Sequence, residues 1–261
     1  MAAMVFAAPL LLLVSGSLRP PGSPPPPTPE LVPDPASVAG YGQAVDLGGL
    51  GRATVVSLLV AAFAVPLSVL VASWAGFAMT RLPPRLTTLL VGASVVALMV
   101  PVTALLVPRF VLYRWLHLTD TVVPLVAPAL VGTSPFYVLV YYVAFRAVPR
   151  DLYDASQLAD VSPFQTWRLV AMPLVRPVTV AVAALVFVLT WSSFLEPLVY
   201  VYDRDLFTVP LALRSLSTLD QTDYPVFLAG SVLASVPALL LFAVAQRRFL
   251  HEYRGPGWLG R

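Results

Sequence analysis

The chain has 261 residues, is 58% hydrophobic, and carries charge on only 11% of its positions, whereas ordinary soluble domains are about 25% charged. With a mean hydropathy of +0.83, it must use lipid as its solvent. It has no Cys, all 16 basic residues are Arg, and there are only two His; disulfides, thiolate chemistry, Walker A or Schiff-base lysines and histidine-rich zinc sites are therefore excluded.

A bilayer core of about 30 Å needs about 20 apolar residues per helix. Six stretches qualify: Ala2 to Leu18, Ala53 to Met79, Leu86 to Val107, Thr121 to Phe145, Val178 to Val201 and Tyr224 to Ala245. The first is short and has no basic residue before it. A signal peptide competes with a first span there, but lacks the positively charged leader such peptides carry; a start truncated upstream would account for both features. Residues 19–52 follow as a Pro-rich external loop, whose RPPGSPPPPTPELVPDP run has too many prolines for helix and reads as extended, polyproline-like chain.

Within span two, Ser57, Ser68, Ser73, Trp74 and Gly76 read as helix-packing residues, since small side chains mark membrane helix contacts. Pro66, Pro101 and Pro124 are candidate kinks. After Val107, the sequence PRFVLYRWLHLTD mixes aromatics with Arg109, Arg114 and His117, as an interfacial helix does.

Arginine placement sets the orientation. The turn at Arg81 to Arg85, the loop 147–177 with Arg146 just before it, and the tail 251–261 with Arg247 and Arg248 just before it together carry ten arginines and four acids, against six arginines and eight acids on the other side. The first side is therefore expected to be cytosolic. Glu196 is the one acid left inside an expected span, and intramembrane carboxylates face a cavity or a partner. With Trp191, Ser192 and Ser193 it offers the hydroxyls, carboxylate and aromatic face that a solute path needs; snorkelling toward Arg204 is the equal alternative.

The loop 147–177 has local structure written into it. Pro149 can open a helix with Asp151 and Asp154 near its positive end, and Leu152, Ala155 and Leu158 recur at helical spacing. Ser162, Pro163 and Gln165 then form a capping-box start for a second helix carrying Phe164, Trp167, Leu169 and Val170, which Pro173 and Pro177 are expected to break. Two short helices joined by a tight turn result.

The order Asp154-Ala155-Ser156, turn, Ser162-Pro163-Phe164-Gln165-Thr166-Trp167-Arg168-Leu169, Met172-Pro173-Leu174 resembles the EAA loop of ABC importer permeases, most closely the second permease of maltose-type carbohydrate importers. Trp191-Ser192-Ser193-Phe194-Leu195, Phe207 to Leu211 and the closing Gln246-Arg247-Arg248-Phe249 are similar in arrangement. The resemblance covers roughly Ala53 to the C-terminus. It implies an all-α, polytopic type I importer permease of about six transmembrane helices with a core over 53–250, placed multi-pass in the bacterial cytoplasmic membrane. It also implies an ATPase subunit dimer docked on Asp151, Asp154, Ala155, Ser156, Asp160, Phe164, Gln165, Trp167 and Arg168. A second homologous permease, an extracytoplasmic solute-binding protein and membrane lipid complete the partners, with no nucleic acid. ATP and Mg belong to the partner ATPase, and no cofactor is expected on this chain. Two departures stand out: Asp154 where the family usually has Glu, and Ala159-Asp160 where it usually has Asp-Gly. Asp tolerates the left-handed backbone that the glycine would supply.

The function expected is that of a non-enzymatic permease subunit importing a sugar or related polyhydroxylated solute. The alternatives are another small solute such as a polyamine or phosphonate, an ion-coupled transporter using Glu196, and, weakest, a lipid-modifying membrane enzyme.

Overall fold

The computed structural model describes residues 2–130, 134–217 and 224–252, with side chains placed from Ala7 through Val244 and at Gln246. Every regular element in these residues is helical. Most of the expected tail 251–261 lies outside the described residues, as do Asp220 and Asp223.

The chain falls into two compact units. One comprises Met1–Leu59, Asp120–Val122 and Trp191–Phe242; the other comprises Val60–Thr119, Val123–Thr190 and Ala243–Arg261. Among the described residues, three stretches are long and apolar enough to cross a membrane: α3 (Leu50–Thr80), the stretch Val123–Arg146 containing α6 (Val123–Leu130) and α7 (Pro135–Arg146), and the first part of α14 (Tyr224–Glu252). Two pairs bent by 84° and 85° bring the candidates to five where each pair counts as one broken span. α1 (Ala2–Ser17) is shorter than a span. Val55, Phe63 and Leu70 on α3, and Leu239 and Phe242 on α14, are exposed. Such faces suit hydrocarbon and would be unfavourable in water.

In the first unit, α1 leads into a Pro-rich segment without regular structure, tied back by an Arg19–Glu30 ion pair and by Ser37 donating its N–H to the Leu18 carbonyl at 2.7 Å. After α2 (Ala39–Asp46), the start of α3 packs against later elements: a Cβ on Gly230 of α14 would stand 2.9 Å from Leu50 and 3.0 Å from Leu213. Val209 begins α13 (Val209–Ser217), and its N–H, orphaned at a helix start, is donated to Ser57 Oγ. Asp120, in the left-handed region at φ 60°, accepts the N–H groups of Tyr202 and Asp203 at 2.9 and 2.8 Å and donates its own N–H to the Tyr200 carbonyl. These paired backbone groups, Asp203 first and Tyr202 second, hold the exposed Asp120 carboxyl below the usual aspartate range.

In the second unit, the core gathers Ala72 and Phe77 of α3, Tyr141 and Phe145 of α7, Trp167, and Val182. Phe77 meets Phe145 edge-on at 5.5 Å, and Tyr141 stacks on Phe145 at 5.7 Å, geometries that suit the ring quadrupoles. Gly76 lets the backbones touch: a Cβ there would be 2.8 Å from the Tyr142 nitrogen and 2.9 Å from the Val138 carbonyl. Small residues do this work between membrane helices because lipid supplies no hydrophobic force for association.

The expected third span is broken. α4 (Pro84–Leu98) ends before Pro101, and a 3₁₀ turn (Val102–Leu105) leads into α5 (Leu106–Trp115) at 84° to it. Pro101 has no N–H to continue the ladder. Pro66 lies within the continuous α3, and Pro124 sits in the first turn of α6, where the missing donor is harmless.

Candidate functional site

Two regions collect the residues singled out in sequence. The first is the loop, within the second unit. α8 (Arg150–Leu158) begins after Pro149 with Asp151 in its first turn. Its C-cap passes through Ala159 to Asp160 at φ 53°, the left-handed position that usually calls for glycine. Ser162 then caps the next helix: its Oγ accepts the Gln165 N–H at 3.3 Å, while Gln165 Oε1 accepts the Ser162 N–H at 3.2 Å.

That helix is continuous from α9 (Pro163–Gln165) through a π segment (Thr166–Ala171) into α10 (Met172–Leu174). The expected break falls between Pro173 and Pro177, with Pro173 itself still inside the helix. The wide π turn precedes the proline, whose missing N–H and ring would strain an ordinary α ladder. The corner comes at Val175, after which α11 (Arg176–Trp191) departs at 85°.

The loop's two faces differ in chemistry. Ser156, Thr166, Trp167 and Ala171 turn inward and are buried. Trp167 lies 5.6 Å from Trp74 and 5.6 Å from Phe164, ring to ring, and its indole N–H has no acceptor among the described residues. Tyr153 donates its O–H to the Phe145 carbonyl at 3.1 Å. Burial pushes this phenol above the ordinary tyrosine range, with the nearby Arg81 charge pulling it back. Outward stand Asp151, Asp154, Ala155, Gln165 and Arg168, together with Leu158, Phe164 and Leu169. Leu158 is 90% exposed and Leu169 65%. The apolar stripe read at helical spacing is thus an open face, and α8 packs through Tyr153 and Ser156 instead.

A cavity of about 650 Å³ lies beside this loop, walled by α3, α4, α7 and α8 and lined by Arg81, Arg146, Arg150, Tyr142, Tyr153 and Asp154 among others. Sequence reading missed it, because its arginines come from two stretches far apart in sequence, Arg81 after α3 and Arg146 with Arg150 between α7 and α8; the signal was these two arginine-bearing turns at helix ends.

The second region is in the first unit. Glu196 is expected inside the fifth span, but the structure ends α11 at Trp191 and places Glu196 in the first turn of the short α12 (Leu195–Tyr200). Pro197 lacks the N–H that would bond the Ser193 carbonyl, and the two serines offer side-chain bonds that compete with the ladder. Ser193 Oγ approaches Glu196 Oε2 at 3.4 Å. Trp191 is buried and donates its indole N–H to the Ala234 carbonyl at 2.9 Å, so it anchors the break while Ser192 is exposed. Arg214 lies over the Phe194 ring at 5.7 Å. Among the described residues no three His, Asp or Glu side chains gather as a metal site would require.

Comparison with known proteins agrees with this architecture. The chain is 29% identical over 199 residues, 76% of its length and 72% of the relative's, to the lactose transport system permease protein LacG of Rhizobium radiobacter. It is 31% identical over 186 residues, 71% of its length and 66% of the relative's, to the arabinooligosaccharides transport system permease protein AraQ of Halalkalibacterium halodurans. The trehalose transport system permease protein SugB of Mycobacterium tuberculosis is 28% identical over 186 residues, 70% of this chain and 68% of that one. In fold it is similar to a chain of a bacterial ABC transporter involved in the import of the acidic polysaccharide alginate, with a TM-score of 0.77, 16% identity, and coverage of 95% and 92% of the two chains. Residues 38–251 match the profile of a family of transport subunits that are not themselves enzymes. The chain belongs to the binding-protein-dependent transport system inner membrane components, the permeases of ABC importers.

Proposed function

We infer that this permease imports a sugar or related polyhydroxylated solute and takes its driving force from a separate ATPase dimer seated on α8 and the helix beginning at Pro163. The observation that carries the docking surface is Leu158: a leucine 90% exposed at the end of α8, on a loop that also exposes Phe164, Leu169 and Asp151. Exposed apolar side chains rimmed by charge mark a protein contact. ATP and Mg act on the ATPase, and a second homologous permease, an extracytoplasmic solute-binding protein and a multi-pass setting in a bacterial cytoplasmic membrane complete the reading. The sugar cargo is supported by the lactose, arabinooligosaccharide and trehalose systems of the relatives.

The break after Trp191 is proposed as part of the solute path. Interrupted membrane helices expose polar groups where transporters bind substrate, and Ser192, Ser193 and Glu196 provide hydroxyl and carboxylate partners for a polyol. Trp191 positions that break through its bond to Ala234.

Co-purification and uptake test both parts. Leu158→Asp or Asp154→Lys is expected to abolish ATPase retention while the chain still inserts. Glu196→Gln is expected to change uptake of labelled oligosaccharides without changing assembly. ATPase retention at wild-type yield by both loop variants overturns the docking surface, and uptake that survives loss of the ATPase overturns the coupling.

A further inference from the structure

The cavity beside α8 carries more positive charge than its surroundings neutralise. Arg81, Arg146 and Arg150 line it, while Asp154 is the single carboxylate among its described lining residues. No ion pair joins any of these arginines to an acid among the described residues. Arg81 is held by stacking: its Cζ lies 5.0 Å from the Phe77 ring and 5.0 Å from the Tyr153 ring. Such contacts fix a guanidinium through its face and leave its in-plane N–H donors unspent. Arg146 is steadied by donating from Nη1 to the Tyr142 hydroxyl at 3.2 Å, which leaves the Tyr142 O–H itself available as a donor. Arg150 opens α8, where a cation opposes the helix dipole. Thr87 and Thr88, in the opening turns of α4, line the same wall, and no acid stands in the first turn of α4. An anion would relieve each of these features together.

We propose that this cavity binds a phosphate group, gripped by Arg81 and Arg146 with Arg150 and the Tyr142 hydroxyl completing the shell. Planar guanidinium forks suit phosphate oxygens better than a point charge would, and the volume falls in the range of small-ligand sites. The proposal rests on the proposed cytosolic position of the loop, which sets the cavity at the inner membrane boundary. Two sources bring a phosphate there: the headgroup of an anionic lipid and a soluble phosphate ester. Val91 and Leu82 on the wall favour an amphiphile. A bound headgroup would tie α3, α4, α7 and the loop helix α8 together at one point.

The full chain, purified with its ATPase, is reconstituted in nanodiscs of phosphatidylcholine with or without phosphatidylglycerol, and retained lipid is read by native mass spectrometry. Phosphatidylglycerol is expected to be retained, and Arg81→Gln and Arg146→Gln should each lower retention about fivefold. Gln157→Glu puts a charge on the cavity wall without removing any stacked or bonded arginine, and should lower retention as well. Retention that inorganic phosphate does not displace assigns the lipid source. Saturable inorganic phosphate binding lost in the same three variants assigns the soluble source. Neither ligand responding to the three variants, while Arg109→Gln behaves as wild type, overturns the site. Leu158→Asp in parallel reports on the docking reading alone: ATPase retained there at wild-type yield with phosphatidylglycerol binding intact counts against that reading, which falls if Asp154→Lys retains it too, and leaves this one standing.

Discussion

The buried hydroxyl of Ser57 accepts the backbone N–H of Val209 at 2.9 Å, across a separation of 152 residues. A polar side chain on an apolar helix thereby satisfies the first donor of another. Ser57→Ala removes the acceptor and leaves a buried N–H orphaned, which costs about 1–3 kcal/mol. Thermal unfolding of the purified permease should show the loss, whereas Ser57→Thr should recover most of it.

Gly76 fixes how closely α3 approaches α7. Gly76→Leu would drive a side chain into backbone atoms already within 2.9 Å of an added Cβ. We expect destabilisation of about 1–3 kcal/mol or more, read as a lower midpoint of unfolding in detergent. Gly92, which has open space around it, should accept alanine without loss and serves as the control.

Asp160→Gly should be neutral or slightly stabilising, because glycine reaches φ 53° freely. Asp160→Val should cost about 1–2 kcal/mol of local stability. Proteolytic cleavage between α8 and the Pro163 helix measures both. Equal resistance of the two variants would contradict the turn as described.

Acid should loosen the Asp120 clip. The folded-state pKa of Asp120 is lowered by the N–H groups of Asp203 and Tyr202, so its contribution is complete above the unfolded value of about 3.9 and is lost as pH falls through the lower folded value. The difference in unfolding temperature between the wild type and Asp120→Asn should therefore be constant near neutrality and shrink in this acid window. A difference unchanged into that window would contradict the assignment.

What was legible in the sequence was local. The capping box at Ser162 and Gln165, the left-handed turn at Asp160 and the helix opened by Pro149 are each fixed by residues a few positions apart, and each is present. Hydropathy located the apolar stretches but not their breaks. Both breaks sit inside windows that remain apolar on average: the corner at Pro101 was marked by its proline, a candidate kink, whereas the interruption from Ser192 to Phe194 was not read. That is why Glu196 reads as intramembrane in sequence and stands on a separate short helix in the fold. Which loop residues turn inward was equally hidden, since Trp167 is buried against Trp74 of α3 in a core that also holds Tyr141 and Phe145 of α7. The arginine cavity required two distant turns to meet, the one after α3 and the one between α7 and α8.

The corner at Val175 has a mechanical meaning. Prolines stand on both sides of it, and Pro177 has no N–H to give the Pro173 carbonyl, four residues back, so one ladder bond across the corner is missing. Val175 is itself buried, at 3% exposure, which clamps the vertex. The loop helix and α11 therefore meet as a bracket whose 85° angle is set at a vertex buried in the core and not at an exposed hinge.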